Sequence, residues 1–312
     1  MTSRTFPPPR SISQEAQATL SLLYSQPLGG NGYPALDDAA GWKASADATN
    51  AMLLQMFRTE GASDPSPIEL GGAPAHLIDI TEPKFGAKRC LYMHGGGLTI
   101  GAGMSGAWMG KGVADAIGLP MYSVDYRMPP AFPYPAGLDD CVAAYRALIK
   151  IMQPEDIVVM GVSAGGCLAG ATVLRARDEG LPMPGGVVLI TPEIDLTESG
   201  DSFDTNLGLD AMLKQRLMPA NLLYAAGADL THPYLSPLFG DFSKGFPPTF
   251  IQAGTRDLFL SNAVRLHRAL RAHALPAELH IFEGMPHGGF GGAAPEDREL
   301  NAEVARFVAA LP

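Results

Sequence analysis

Three things that this chain of 312 residues has little of narrow its possible roles. Cysteine is scarce: Cys90, Cys141 and Cys167 are an odd number, with no close pair and no metal-ligand spacing. That excludes a disulfide framework or a zinc cluster and predicts reduced, buried thiols in a cytoplasmic protein. Positive charge is in deficit, since 22 Lys and Arg against 32 Asp and Glu leave a formal net charge of -10. With no basic stripe to displace counterions from a phosphate backbone, no nucleic-acid partner is expected. An acidic surface also offers nothing to an anionic membrane. Long apolar runs are missing too. No segment approaches a membrane span, and residues 1–10 lack the apolar core of a signal peptide, so no stable membrane insertion is expected.

What is present is a globular composition, 46% hydrophobic and 17% charged, in a chain long enough to bury a sizeable core. From about Pro67 onward, strand, loop and helix alternate, which predicts an α/β fold with a mostly parallel sheet covered on both faces. The expected strands are 75–80, 89–93, 121–125, 157–160, 186–191, 249–253 and 278–282. Leu138, Val142, Tyr145 and Ile149 share one helical face, as do Leu300, Val304, Phe307, Val308 and Leu311. Two segments break the rhythm. Residues 1–61 read as helical, with a stripe of Ile12, Ala16, Leu20 and Leu23, a capping box at Ser11 and Gln14, and a second stripe of Met52, Leu53, Met56 and Phe57. Residues 199–229 form a second helical excursion, carrying Leu207, Leu209, Met212, Leu213, Leu217 and Met218. Periodicity alone does not decide whether the two pack as a lid over the strand ends or as ordinary core helices. The expected organisation is an N-terminal segment, 1–61, and a catalytic domain, 62–312, with 199–229 inserted in it.

The chemistry begins at Gly161-Val162-Ser163-Ala164-Gly165, directly after Ile157-Val158-Val159-Met160. A Ser flanked by glycines at a strand end is the pattern of a nucleophile elbow, whose tight turn lifts the hydroxyl clear of the sheet. A serine nucleophile needs a base, an acid to orient the base, and donors for the oxyanion. Of seven histidines, His287 is the first choice as base: it lies on a Gly-rich loop after the last expected strand, in Gly284-Met285-Pro286-His287-Gly288-Gly289-Phe290, where an α/β sheet places functional side chains. Two aspartates stand at strand exits. Asp257 fits the chain order Ser, Asp, His, has the shorter route to His287 and is the first choice; Asp195, one strand earlier, is the alternative, or a turn-capping carboxylate before Thr197. For the oxyanion, His94-Gly95-Gly96-Gly97 follows a strand, and amides of Gly95, Gly96 and Gly97 could join that of Ala164. His94 more naturally braces this loop than transfers protons. A Gly-Lys-Ser/Thr phosphate loop and a dinucleotide fingerprint are both missing, so no cofactor and no metal is expected.

These residues, with Asp125-Tyr126-Arg127, Gly166 and the stretch Phe132-Pro133-Tyr134-Pro135-Ala136-Gly137-Leu138-Asp139-Asp140, resemble the bacterial hormone-sensitive-lipase-like esterases (family IV) of the α/β-hydrolase superfamily. The resemblance runs from about Ile68 to the end. It implies an α/β-hydrolase fold with an eight-stranded sheet, a helical cap built from the N-terminal region and the insertion, and cofactor-free hydrolysis of carboxylic esters. Matched position by position, it makes Ser163 the nucleophile, His287 the base and Asp257 the orienting acid. Gly96, Gly97 and Ala164 become oxyanion donors. The chain departs from the family at Pro129-Pro130-Ala131, where a carboxylate is common, and at Leu258 and Ser261-Asn262, where a Pro and an acidic pair are common. Val162 matches neither the Asp nor the Thr form that names the two large subgroups.

The expected activity is hydrolysis of short- to medium-chain esters through an acyl-enzyme, falling away as pH drops through roughly 6 to 7. Lactone or amide hydrolysis on the same residues, or a receptor that has kept the pocket, are the alternatives. Candidate pocket residues are His94, Trp108, Met52, Phe57, Leu209 and Met212, the methionines being adaptable to varied shapes. A homodimer through the last strand and the Leu300–Leu311 stripe is one use of that stripe; packing on the chain's own sheet is the other.

Overall fold

The computed structural model describes residues 6–26, 32–292 and 294–312. In chain order the main elements are α1 (Gln14–Ser25), α2 (Ala39–Phe57), β1 (Ser66–Leu70), β2 (Ala73–Ile78), β3 (Arg89–Met93), α3 (Met104–Ile117), β4 (Met121–Val124), α4 (Ala136–Leu148), β5 (Ile157–Val162), α5 (Ala164–Asp178), β6 (Gly186–Ile190), α6 (Ser202–Thr205), α7 (Met218–Ala225), β7 (Thr249–Gly254), α8 (Leu260–Ala272), β8 (Ala277–Phe282) and α9 (Pro295–Ala310). The strands form one sheet of eight in the order β1-β2-β4-β3-β5-β6-β7-β8. β2 is antiparallel to both neighbours, and every pairing from β4 through β8 is parallel.

Alternation along each strand decides what covers the sheet. In β3, Leu91 and Met93 enter one core while Cys90 and Tyr92 enter the other; in β5, Val159 and Val158 divide the same way. Both faces are dry, as a parallel sheet requires. The Leu138, Val142 and Tyr145 face of α4 packs on the first, with α5 and α8 beside it. The Leu300, Val304, Phe307, Val308 and Leu311 stripe lies on the second, with Ala114 and Ile117 of α3, so its apolar side is buried within the chain. The three cysteines are free and buried. Among the described residues no helix is long and apolar enough to cross a membrane.

Three expectations need correction. β1 was not foreseen: it carries Pro67, is largely exposed, and lies at the sheet edge, where Pro costs no ladder bond. It turns into β2 through Gly71-Gly72, both at positive φ as a two-residue hairpin demands, and this moves β2 to 73–78 rather than 75–80. The cap of α1 is Ser13, not Ser11 with Gln14: Ser13 Oγ accepts from Ala16 N–H, while its own N–H and O–H donate to Glu296 of α9. The excursion 199–229 is helical only at its two ends, α6 and α7. In its middle, Asp210 accepts from the N–H groups of Met212 and Leu213, a local bond that competes with helix.

The N-terminal segment and the excursion meet. Ile12, Ala16 and Leu20 pack with Ala211, Met285 and Phe290. The Tyr24 hydroxyl donates to the Leu209 carbonyl, and Lys214 Nζ donates to the carbonyls of Leu23 and Gln26.

Candidate active site

β5 runs straight into α5 with a single residue, Ser163, between them. Ser163 has φ 56 and ψ -126, which for a residue with a Cβ costs about 1–3 kcal/mol and survives only where neighbours over-determine it. They do so here. Ser163 N–H donates to Ile190 O at 2.9 Å, while Ser163 O accepts from Gly166 N–H at 2.8 Å and from Glu193 N–H at 3.0 Å. The flanking glycines serve close approach. A Cβ on Gly161 would lie 2.1 Å from Gly165 O, and one on Gly165 would lie 2.0 Å from Met93 O. Strand and helix therefore touch through backbone, and the serine is left standing at the carboxyl end of the sheet.

His287 comes from the loop after β8 and Asp257 from the loop after β7. His287 Nε2 lies 2.8 Å from Ser163 Oγ, and its Nδ1 lies 3.1 Å from Asp257 Oδ1. With Nδ1–H directed at the carboxylate, Nε2 is left to accept from the serine hydroxyl. All three side chains are buried or nearly so. Burial by itself would lower the His287 pKa; Asp257 opposes it by charge and hydrogen bond, Asp210 and Glu193 by charge, and the net result lies above the ordinary imidazole value. The alternative acid is committed elsewhere: Asp195 accepts from Thr197 and Ser199 and pairs with Arg265.

The glycines after β3 approach the same point. A Cβ on Gly95 would stand 3.1 Å from Ser163 Cβ, and Gly96 and Gly97 have φ 125 and 57. Ala164 N–H is the first of α5 and has no acceptor within its helix. His94 braces the loop as expected: its Nδ1 is 2.8 Å from Gly95 O, its ring stacks on Tyr126 at 4.2 Å, and Tyr126 OH donates to His94 O. Burial lowers the His94 pKa, favouring the neutral ring. The rest of that motif is also used, Asp125 accepting from Gly103 N–H and Arg127 pairing with Asp140 of α4.

Other expected pocket residues are scattered. Trp108 is buried and donates through Nε1 to Asp64 Oδ1. Met52, Phe57 and Met212 are 53%, 40% and 52% exposed. Leu209 is half-buried beneath Tyr24.

Sequence reasoning missed the residues that hold the acid and base loops together. Asp210 Oδ2 accepts from Leu258 N–H at 2.8 Å, and its Oδ1 accepts from His287 N–H at 3.3 Å. One carboxylate thus staples both loops, and burial followed by Asp257 raises its pKa to about 6. Asn206 Nδ2 donates to Asp257 O, while Ser202 Oγ donates to Leu258 O and accepts from Ser261 N–H. Ser261 therefore carries support that an acidic pair commonly supplies. A lone Asp in an irregular segment gives no sequence signal; Ser261, as a marked departure, does. Among the described residues no cluster of side chains could hold a metal ion.

A family model described as alpha/beta hydrolase fold matches residues 90–290. An acetyl-hydrolase of Streptomyces hygroscopicus is 35% identical over 202 residues, 64% of this chain and 67% of that protein. The crystal structure of an esterase superposes with a TM-score of 0.92 at 31% identity, covering 100% of this chain and 98% of the other. A second crystal structure, of an esterase from the bacterial hormone-sensitive lipase family, superposes with a TM-score of 0.83 at 29% identity over 96% and 98%.

Proposed function

Since the chain belongs to the α/β-hydrolase family and is a serine carboxylesterase of its bacterial hormone-sensitive-lipase-like branch, we propose that Ser163, His287 and Asp257 carry out the hydrolysis. The observation that carries this reading is the continuous hydrogen-bonded line Asp257–His287–Ser163, ending beside the Gly95–Gly97 loop. His287 Nε2 takes the hydroxyl proton as Ser163 Oγ attacks the ester carbonyl. The oxyanion is held by amides of Ala164, Gly96 and Gly97, with Gly95 adjoining, each such donor being worth on the order of a hundredfold in rate. His287 returns the proton to the departing alcohol, and water repeats the sequence on the acyl-enzyme.

The substrates are small carboxylic esters. Within that class we assign short- to medium-chain acyl groups. Support comes from the acetyl-hydrolase among the relatives and from the contacts of Tyr24 with Leu209 and of Leu23 with Lys214, which join α1 to the excursion after β6. Ser163→Ala should fold normally and lose at least about 10³-fold in kcat on p-nitrophenyl acetate; turnover near wild type in purified variant would sink the assignment. An acyl-length series, with a lactone and a matched anilide, defines the preference.

A further inference from the structure

Glu193 is the one carboxylate beside the nucleophile to which the mechanism above gives no task. It follows Thr191-Pro192 at the end of β6, and its N–H donates to the carbonyl of Ser163 itself. The segment is tightly held: Thr191 N–H donates to Gln252 O, and a Cβ on Gly166 would lie 2.7 Å from Pro192 Cβ. The side chain is wholly buried, and among the described residues neither carboxylate oxygen meets a donor at hydrogen-bond geometry. A buried carboxyl left so costs several kcal/mol unless it is uncharged or hydrated.

Its surroundings are polar rather than apolar. Asn221 of α7 is wholly buried beside it, with Nδ2 on Leu196 O and Oδ1 also without a protein partner. Tyr33, from the segment before α2, closes the same region: burial and then Glu193 raise its pKa to about 12. Burial, helped by Glu198 and Asp195 and opposed by Asn221 and His287, pushes the Glu193 carboxyl up to about 8. Near neutrality the group therefore offers both an O–H and a carbonyl. Adjacent unpartnered carboxyl and carboxamide oxygens are the environment in which proteins hold a water, which needs two to four polar partners.

We propose that Glu193, together with Asn221, is a positioning residue for the hydrolytic half-reaction, anchoring the water that His287 activates against the acyl-enzyme. The inference rests on the acyl-enzyme reading above. In the step, a water O–H bond breaks with its proton passing to His287 Nε2, and the water oxygen bonds to the acyl carbon. The carbonyl re-forms as the Ser163 Oγ–acyl bond breaks, and Oγ takes the proton back. Glu193 gains and loses nothing.

The test is nucleophile partition. p-Nitrophenyl acetate and phenyl acetate are turned over in the presence of methanol, and acetate and methyl acetate are measured. In the wild type both esters should give one product ratio, because they share an acyl-enzyme; a ratio that depends on the leaving group overturns the acyl-enzyme reading itself. Glu193→Ala, with its fold checked by circular dichroism, should raise the methyl acetate share several-fold and slow deacylation about tenfold to a hundredfold. Glu193→Gln keeps the shape and both kinds of hydrogen bond and should return the ratio toward wild type. Asn221→Leu should move it as Glu193→Ala does. A partition ratio unchanged in both Glu193→Ala and Asn221→Leu, or a Gln variant as altered as the Ala variant, overturns the proposal.

Discussion

Three buried carboxyl groups face one imidazole, and their different settings give them different work. Asp257 touches His287 directly, Asp210 holds its backbone, and Glu193 adds its charge only where it is ionised, at the upper end of the pH range. Together they carry the His287 pKa above the ordinary value despite burial. The base works only when neutral, so kcat/KM should rise with pH through a value above about 6.5 and then level off. That places the limb higher than an unperturbed histidine would. Asp257→Asn should move this limb down and cost about 10⁴-fold in kcat, because the wrong tautomer is then favoured. A pH–rate profile for each protein, recorded with one p-nitrophenyl ester, measures both shifts; a limb that stays put in the variant would remove Asp257 from contact with the base.

At the scale of elements, the catalytic groups sit on loops after β5, β7 and β8, and the excursion after β6 ties the last two together. Asp210 does this with a side chain that four backbone N–H groups share. Asp210→Asn cannot accept from all four. It should lower kcat about tenfold with KM little changed, and lower stability by about 1–3 kcal/mol. Steady-state kinetics and denaturant midpoints check the two separately, and a variant that loses stability but keeps kcat would make the staple purely structural. Nothing in the sequence pointed to Asp210, because its distant partners, Leu258 and His287, offer main-chain groups brought in by two separate returns of the chain. Ser163, His287 and the glycine loop were readable because each follows an apolar strand, and strand ends converge on one edge of a parallel sheet. Asp257 could be preferred to Asp195 by its shorter route along the chain to His287; what separates them physically is that Asp257 meets the imidazole while Arg265 reaches Asp195 from α8.

For the whole molecule, continuous apolar runs such as 157–160 alternating with helical stripes made a doubly covered sheet legible, and the Leu300–Leu311 stripe finds its partner there. The edge was not legible: β1 has Pro67 and little apolar surface, and its existence depends on pairing with β2. The pocket walls were not either, since helical periodicity tells which residues share a face and not what that face meets. Burial also makes stability depend on pH. Glu193 titrates near 8 when folded and near 4.5 when exposed, so between these values the folded chain keeps a proton that the unfolded chain has lost. Stability from this group is therefore complete below about pH 4.5 and drains away as pH rises to 8. Thermal melts of Glu193→Gln and wild type should coincide most closely near pH 5 and separate in favour of the variant up to about pH 8. A gap of constant size would mean that Glu193 is equally ionised in both states.

The β6–β7 pairing fixes both ends of the excursion that carries Asp210, with Val187 against Thr249 and Ile190 against Gln252. Doubling the length of a connection closed in this way costs only about 0.6 kcal/mol in chain entropy. By that measure the excursion could be lengthened on either side of the span from Ser202 to Asp210 at little entropic cost. What drift cannot do cheaply is fail to bring a carboxylate back to the place where the Asp257 and His287 loops meet. The reach of the cover and the alignment of the catalytic loops are thus set by one stretch of chain, in which Ser202, Asn206 and Asp210 are the fixed points.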